Sequence, residues 1–327
     1  MMSYAISILD QTPVFPNETV EQAFQHTIRL AQQAEQWGYR RFWLAEHHAM
    51  HEVAGSSPEI LLAHLLAHTT KIRLGTGGVM LNHYSPFKVA ENFNVLATLA
   101  PNRIDLGVGK SPGGFALSTK ALQCVSEGFA PNFEQKLQTL QQFIYQQPTG
   151  EYATLQASPI PQHPPTMYAL GGSVESATLA ASLKINYVFA RFLHSDEALL
   201  ATCAKAYKKQ YPEGEFIVAV TTVAADTQQQ ALALRQYFNL FHIHFVNGKR
   251  AIVQSEDQIK TLRQQTTEPF HVIAKEMAVI AGTAQQVHAE LQRLHQAYNI
   301  DEFILHTPLR LLKERTHSFA LLGRDKQ

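Results

Sequence analysis

The stretch RRFWLAEHHAMHE, residues 40–52, places two carboxylates and three imidazoles behind a short apolar run. The five side chains belong to Glu46, His47, His48, His51 and Glu52. Side chains of these types can bind a metal ion, move protons at a catalytic centre, or hydrogen-bond to water on a surface loop. The stretch by itself leaves all three interpretations open.

The metal site is the weakest of these interpretations. A zincin carries two histidines in one His-Glu-x-x-His turn of helix, and HEVAG (51–55) lacks the second histidine. Adjacent His47 and His48 project to different sides of an extended chain, so they are badly placed to bind one ion. We expect no metal here and favour catalysis or ligand binding by Glu46, His47 and His48, with His51 as a loop residue.

Two glycine-containing segments could bind a phosphate. GVGKSPGG (107–114) fails both nucleotide motifs, because Ile104 and Pro112 stand where a P-loop and a dinucleotide fingerprint need glycine. Lys110 in that segment can still act as a point charge on a phosphate.

The second segment is GGSVESATLAASL (171–183), in which Gly172, Ser173 and Ser176 surround the start of a helix. Free backbone N–H groups and the helix dipole favour an anion there. Ordinary N-capping by Ser173 explains one serine but not the paired glycines. We therefore expect an anion site that combines this helix with Lys110.

The elements around these residues alternate along the chain. Apolar strands are predicted at 4–9, 41–45, 71–78, 103–109, 166–170, 187–190, 215–224 and 302–306, with helices between them. Helix starts are indicated by Thr19 with Gln22, by Ser57-Pro58 and by Ser85-Pro86. The alternation predicts an α/β fold with a parallel sheet, open or closed, and eight strands are the number in a (β/α)8 TIM barrel.

We expect one domain over residues 1–327, with an excursion at about 227–282 between the seventh strand and its helix. A helix is predicted at 227–241, followed by FHIHFVNGKR (241–250) and an irregular polar run. Such an insertion either carries function, for example as a lid, or is disordered. In a TIM barrel the site forms where strands end. The candidates at 46–48, 110 and 172–176 all follow predicted strands.

Composition excludes several classes of protein. Lysine plus arginine equals aspartate plus glutamate, at 27 each, which argues against nucleic-acid and membrane partners. The two cysteines, Cys124 and Cys203, form no Cys-x-x-Cys motif. The start lacks a basic region followed by an apolar one, and no apolar run approaches the roughly 18 residues of a membrane span. We expect a cytoplasmic protein.

With its motifs taken in order, the chain resembles the luciferase-like flavin-dependent monooxygenases, the family that contains bacterial luciferase. The resemblance covers nearly the whole chain except about 227–275. It is carried by FWLAEHH (42–48), AHLLAHTTKIRLGTGGVMLNHYSPFKVAE (63–91), NRIDLGVGKSPG (102–113), GGSVESATLAAS (171–182) and GTAQQVHAELQRLHQAYNIDEFILHTP (282–308).

The resemblance implies a TIM barrel that binds FMN, or deazaflavin in some branches, at its C-terminal face. His47 matches an imidazole needed for catalysis near the flavin, and Glu46 or His48 would orient it. Gly77 and Gly78 match a dipeptide with a non-prolyl cis peptide bond beneath the flavin ring.

The resemblance also implies the phosphate ligands, and this chain differs from the usual family pattern at two places in the site. Lys110, Ser173 and Ser176 match ligands of the flavin phosphate. The family usually has arginine at position 110, so this chain loses a bidentate contact. It carries Arg191-Phe192 where many members have paired histidines, which leaves the substrate open.

The implied activity is that of a monooxygenase. Reduced FMN would come from a separate flavin reductase and react with O2, and a flavin hydroperoxide would oxidise a small organic substrate. We also expect a homodimer. Three alternatives stay open: a non-enzymatic flavin-binding or storage protein, a deazaflavin-dependent hydride-transfer oxidoreductase, and a metal-dependent hydrolase.

Overall fold

Eight parallel strands close into a barrel in the computed structural model, which describes residues 4–123, 132–193, 196–235 and 238–324. Cys124 and the first three residues of the chain lie outside those ranges. The strands are β1 (Ala5–Asp10), β2 (Arg41–Leu44), β3 (Arg73–Thr76), β4 (Val79–Met80), β5 (Ile104–Gly109), β6 (Thr166–Gly171), β7 (Asn186–Ala190), β8 (Phe216–Ala224), β9 (Asn239–Phe245), β10 (Arg250–Val253), β11 (Phe270–Glu276), β12 (Val279–Gly282) and β13 (Glu302–His306).

Helices follow the strands on the outside of the barrel. They are α1 (Val20–Gln36), α2 (Pro58–Leu66), α3 (Pro86–Leu99), α4 (Ala116–Gln123), α5 (Phe133–Ile144), α6 (Val174–Ser182), α7 (Glu197–Gln210), α8 (Gln228–Arg235), α9 (Glu256–Gln265), α10 (Ala284–Tyr298) and α11 (Leu312–Arg324). Within the described ranges, none of them is both long and apolar enough to cross a lipid bilayer.

The barrel order is β13–β1–β2–β3–β5–β6–β7–β8, and β8 pairs with β13 to close the ring. All of these pairings are parallel, as in Ile6↔Phe303 between β1 and β13 and Phe189↔Val218 between β7 and β8. The predicted TIM barrel is confirmed. Both faces of its strands are covered, so the strands are nearly continuous apolar runs, and every residue of β8 is buried.

Two apolar layers meet at the strands. Residues that point into the barrel form one cluster, and residues that point out pack under the helices. The inner cluster contains Leu9, Trp43, Ala45, Tyr168, Val188, Ile217, Ala219 and Ile304, with Leu170 and Phe192 packed against it. The interior is therefore filled below the level at which the strands end.

The predicted helix starts are confirmed. Thr19 caps α1 in a capping box with Gln22, and Pro58 and Pro86 are the first residues of α2 and α3. A proline costs nothing at the first helical position, because its missing N–H would have no partner inside the helix.

The insertion differs from the prediction. The helix predicted at 227–241 ends at Arg235, and β9 begins at Asn239. The polar run after it forms an antiparallel sheet of order β10–β9–β11, with α9 between β10 and β11. Two sequence features explain this: the apolar–histidine alternation in FHIHF (241–245), which suits a strand, and Asn247-Gly248, which suits a hairpin turn.

A buried ionic cluster lies at the N-terminal ends of the barrel strands, on the side opposite the barrel mouth, which is formed by their C-terminal ends. The Arg41 guanidinium is fully buried and contacts Asp105 Oδ2 at 3.0 Å and Glu302 Oε1 at 2.9 Å. Glu302 also accepts a hydrogen bond from Ser7 Oγ. The cluster joins β1, β2, β5 and β13 through side chains.

Candidate active site

The third barrel strand is interrupted between β3 and β4 by Gly77 and Gly78. The peptide bond between them is cis, as the resemblance implies. A Cβ on Gly78 would lie 2.8 Å from the backbone oxygen of Gly107, and one on Gly77 would lie 2.7 Å from Leu9 Cδ1. The clash at Gly78 is with backbone, so the packing requires glycine there, whereas a side chain at position 77 would require the Leu9 side chain to move.

Glu46 connects two loops of the barrel mouth. Its carboxylate is 1% exposed and accepts hydrogen bonds from the Tyr84 hydroxyl at 2.7 Å and from the Met80 backbone N–H at 3.0 Å. His48 Nε2 lies 2.7 Å from the same carboxylate. The loop after β2 is thereby joined to the segment that follows the two glycines. Burial, and then the hydrogen bond to Glu46, raise the pKa of Tyr84, so its hydroxyl remains protonated as a donor.

His47 lies beside this network but outside it. Its Nδ1 atom is buried and has no hydrogen-bond partner among the described residues. We expected Glu46 or His48 to orient His47, whereas the Glu46 carboxylate pairs with His48. Burial, and then the charge of His48, lower the pKa of His47 to about 4, against the opposing effect of Glu46. The imidazole is therefore neutral near pH 7 and able to accept a proton.

His306 and Gln11 also belong to this side of the mouth. His306 ends β13, and its Nε2 lies 3.2 Å from Oε1 of Gln11, which follows β1. Burial, then the charge of Arg315 and then His47, lower the pKa of His306 to about 3. The Phe192 ring lies 5.8 Å from the His306 ring, centroid to centroid.

The sequence placed His306 at a strand end without giving it a role, and it gave Gln11 and Tyr84 no role. The partners of these three side chains are far away in sequence, so spacing along the chain carries no signal for them. The position of Gln11 directly after a predicted strand was the single local indication.

The predicted phosphate ligands lie on the other side of the mouth. Strands β5 and β6 are neighbours, with Val108 paired to Ala169, so Lys110 and the start of α6 follow adjacent strand ends. The Lys110 side chain is exposed.

Ser173 and Ser176 form a capping box at the start of α6. The Ser176 hydroxyl also lies 2.8 Å from the hydroxyl of Tyr187. An ammonium group, two hydroxyls and the free N–H groups of a helix start are donors that suit a phosphate monoester, so these residues fit the phosphate of FMN.

Arg191 and Phe192, which replace the paired histidines of many family members, lie in different surroundings. Phe192 packs against the inner cluster and His306. Arg191 instead lies 3.5 Å from the carboxylate of Glu197 at the start of α7. The substituted wall of the site therefore consists of Phe192.

His51 and Glu52 lie in a loop turn, as predicted. That turn borders a cavity of about 190 Å³ between the loop after β2 and the insertion, lined by Ala49, Met50, His51, Glu52, Phe115, Asp257, Gln258 and Thr261. Glu52 accepts a hydrogen bond of 3.0 Å from Ser255, at the start of α9. The insertion thus contacts the loop that carries the histidines. Among the described residues no three histidine, cysteine or carboxylate side chains are grouped as metal ligands.

The family model described as luciferase-like monooxygenase matches residues 2–299. The chain is 43% identical over 323 residues to the N-acetyl-S-alkylcysteine monooxygenase of Bacillus subtilis (strain 168), covering 97% of each.

Solved structures share the fold. The structure of apo-MsnO8 is similar with a TM-score of 0.77 at 28% identity, covering 98% of this chain and 97% of that one. An FMN complex of a type II Baeyer–Villiger monooxygenase from Pseudomonas putida has a TM-score of 0.69 at 16% identity, covering 99% and 98%. An F420-dependent secondary alcohol dehydrogenase has a TM-score of 0.64 at 15% identity, covering 99% of both. These last two neighbours are thus described with FMN and with F420, respectively.

Proposed function

The chain belongs to the luciferase-like monooxygenase family of enzymes, and from that premise we propose that it is an FMN-dependent monooxygenase acting on N-acylated S-alkylcysteines. The observation that carries the proposal is the neutral imidazole of His47 at the barrel mouth, whose buried Nδ1 has no hydrogen-bond partner in the described part of the chain. The identity of 43% over nearly the full length to a monooxygenase of that name supports the substrate class.

The proposed roles follow from the side chains. FMN, when bound in its reduced form, supplies two electrons, so that one atom of O2 enters the substrate and the other leaves as water. Lys110, Ser173 and Ser176 hold its phosphate, and Gly77 and Gly78 allow a flat ring to approach the backbone. Gly172, directly before the Ser173 cap, keeps the phosphate's approach to α6 open.

His47 Nδ1 accepts and returns a proton near the reacting atoms, because its lowered pKa keeps the lone pair free at neutral pH. Glu46 positions His48 and the surrounding loop through its three hydrogen bonds. The inner cluster and Phe192 keep water away from the reaction.

The proposal extends to the surroundings of the enzyme. We place it in the cytoplasm, where a separate flavin reductase supplies reduced FMN by transient contact. We also propose a homodimer built on α2 and α3, because Ile60, Val95 and Leu99 on those helices are 70%, 44% and 68% exposed. Light scattering after gel filtration should give twice the mass of 36.6 kDa. A mass of one chain would reject the dimer and leave the catalytic proposal intact.

The direct test mixes the protein anaerobically with reduced FMN and N-acetyl-S-methylcysteine, then adds O2 while the absorbance spectrum and the substrate are followed. We expect substrate loss equal to the flavin oxidised, and none with free FMN alone. Flavin reoxidation as fast as in buffer, with the substrate intact, would reject a monooxygenase and leave storage. Reduction of F420 by a secondary alcohol would indicate hydride transfer instead.

A further inference from the structure

The imidazole of His306 is buried, but the residues around it satisfy only part of its hydrogen-bonding capacity. The residue is 2% exposed, and its Nδ1 atom has no hydrogen-bond partner in the described part of the chain. A buried polar atom without a partner costs about 1–3 kcal/mol. At the end of a barrel strand, such an atom points to a ligand that supplies the missing partner.

The contact with Gln11 determines what Nδ1 can do. The side-chain carbonyl oxygen of Gln11 lies 3.2 Å from His306 Nε2. Because that oxygen can only accept a hydrogen bond, Nε2 carries the proton. In a neutral imidazole the second nitrogen is then an acceptor. His306 therefore offers a lone pair at Nδ1 and requires a donor.

The position of His306 separates it from the phosphate. In the barrel order, β13 and β1 lie across the ring from β5 and β6, four strands away in each direction. Lys110 and α6 follow β5 and β6, whereas His306 and Gln11 follow β13 and β1. A flavin whose phosphate lies at α6 thus leaves the His306 side of the mouth to the substrate.

The electrostatics select the kind of donor. Arg315, whose charge disfavours a positive charge at His306, is itself buried against Asp10 at 2.7 Å. The Phe192 ring adds an apolar wall. An ammonium ion entering this place would lose far more hydration than a neutral amide. It would also meet the field of the Arg315 guanidinium, which the Asp10 carboxylate offsets in part. A neutral amide N–H has the smaller desolvation cost and carries no net charge.

We propose that His306 Nδ1 accepts a hydrogen bond from the amide N–H of an N-acylated substrate and thereby distinguishes it from the free amine. This inference rests on the proposed function, since it names the recognition of the same substrate class. His306 is a binding and specificity residue in this account, and His47 handles the proton.

The experiment measures binding without turnover. Protein loaded with oxidised FMN is titrated calorimetrically with N-acetyl-S-methylcysteine and with N-acetyl-N,S-dimethylcysteine, whose tertiary amide has no N–H. The wild type should bind the derivative about tenfold more weakly, the value of one hydrogen bond. His306→Leu should bind both compounds with the weaker affinity.

His306→Asn is the matched variant, because its side-chain oxygen lies near the position of Nδ1 and is an acceptor. It should recover most of the tenfold preference. FMN affinity, measured by fluorescence quenching, should be the same in all three proteins, which separates loss of the hydrogen bond from loss of the fold.

Each other outcome rejects the inference. Equal binding of both compounds by the wild type would show that no acceptor reads the N–H. A tenfold preference that persists in His306→Leu would show that another group accepts the hydrogen bond from the N–H. The proposed activity on this substrate class would be unaffected by that result. Binding of neither compound by the wild type would remove the proposed substrate class, and this inference with it.

Discussion

Burial keeps the imidazoles of His47 and His306 neutral at the barrel mouth. Their pKa values are lowered to about 4 and about 3, whereas an imidazole in an unfolded chain titrates near 6.5. The unfolded state therefore binds more protons than the folded state between these values. Stability is fully present above about pH 6.5 and decreases as the pH falls towards the folded pKa values.

The first prediction concerns this pH dependence. His306→Asn removes one imidazole that binds a proton in the unfolded state but not in the folded state. The fall in unfolding free energy between pH 6.5 and pH 4.5 should therefore become shallower by up to about 1.4 kcal/mol per pH unit. Urea unfolding at several pH values measures it. His317→Asn, which replaces a histidine whose side chain is 48% exposed, is measured alongside as the comparison for a surface site. An unchanged slope in His306→Asn would mean that His306 titrates normally.

The second prediction concerns the Glu46 network. Tyr84→Phe removes a donor to a buried carboxylate, and we expect it to lower the unfolding free energy by about 1–3 kcal/mol. Tyr298→Phe is matched to it, since the Tyr298 hydroxyl also donates to a glutamate, Glu197, at 2.8 Å, and that carboxylate is 36% exposed. That control should cost less than about 1 kcal/mol. Equal costs in urea unfolding would contradict the importance of the buried bond.

Single residues were predictable where a motif fixes them. Glu46, His47 and His48 follow β2, and the strand-end rule together with the resemblance placed them at the mouth. Their hydrogen-bond partners were not predictable: Tyr84 reaches Glu46 across 38 positions of sequence, and no periodicity links two loops. The neutral state of His47 depends on burial, which exists only after the chain has folded.

At the scale of elements, the prediction was strongest where two signals agree. Each barrel strand is an apolar run bounded by a capped helix, and those strands lie within a few residues of their predicted positions. The insertion shows the opposite case, because the helix predicted from the pattern of α8 extended into β9. Histidines at 242 and 244 made the alternation of apolar and polar residues in this strand difficult to recognise. The helix α4 was not predicted.

The third prediction tests the proposed phosphate site. Lys110→Met removes an ammonium group from the strand end next to the one that precedes α6. If Lys110 binds the phosphate as proposed, FMN should bind about tenfold more weakly, while riboflavin, which has no phosphate, should bind as before. Fluorescence titration measures both affinities. Lys120→Met, on the exposed surface of α4, should change neither. An equal loss for both flavins would place Lys110 away from the phosphate.

At the scale of the whole molecule, the barrel is closed at its base by charge as well as by backbone hydrogen bonds. Arg41 lies on β2 and contacts carboxylates on β5 and β13. This cluster was not predictable from the sequence, because a charged residue at the start of a strand is usually exposed.

The fourth prediction follows from that cluster. Arg41→Met removes the fully buried cation shared by Asp105 and Glu302, and these keep only the more exposed Arg73 and Arg40. We expect a cost of about 3–5 kcal/mol of unfolding free energy. Lys88→Met breaks a surface pair between Glu91 and a lysine that is 66% exposed, and it should cost less than about 1 kcal/mol. Thermal and urea unfolding compare the two variants. A small cost for Arg41→Met would mean that Arg73 and Arg40 are enough to compensate the two buried carboxylates.

The insertion leaves and re-enters the barrel at one point, since Ala224 at the end of β8 is the register partner of Gly282 at the end of β12. Two chain ends that already lie side by side can be bridged by a segment of almost any length. Evolution can therefore exchange or resize the intervening residues without shifting the register of a single barrel strand. The same junction makes the insertion a natural unit for grafting, so that a new cover over the histidine loop could be tried on an unchanged catalytic frame.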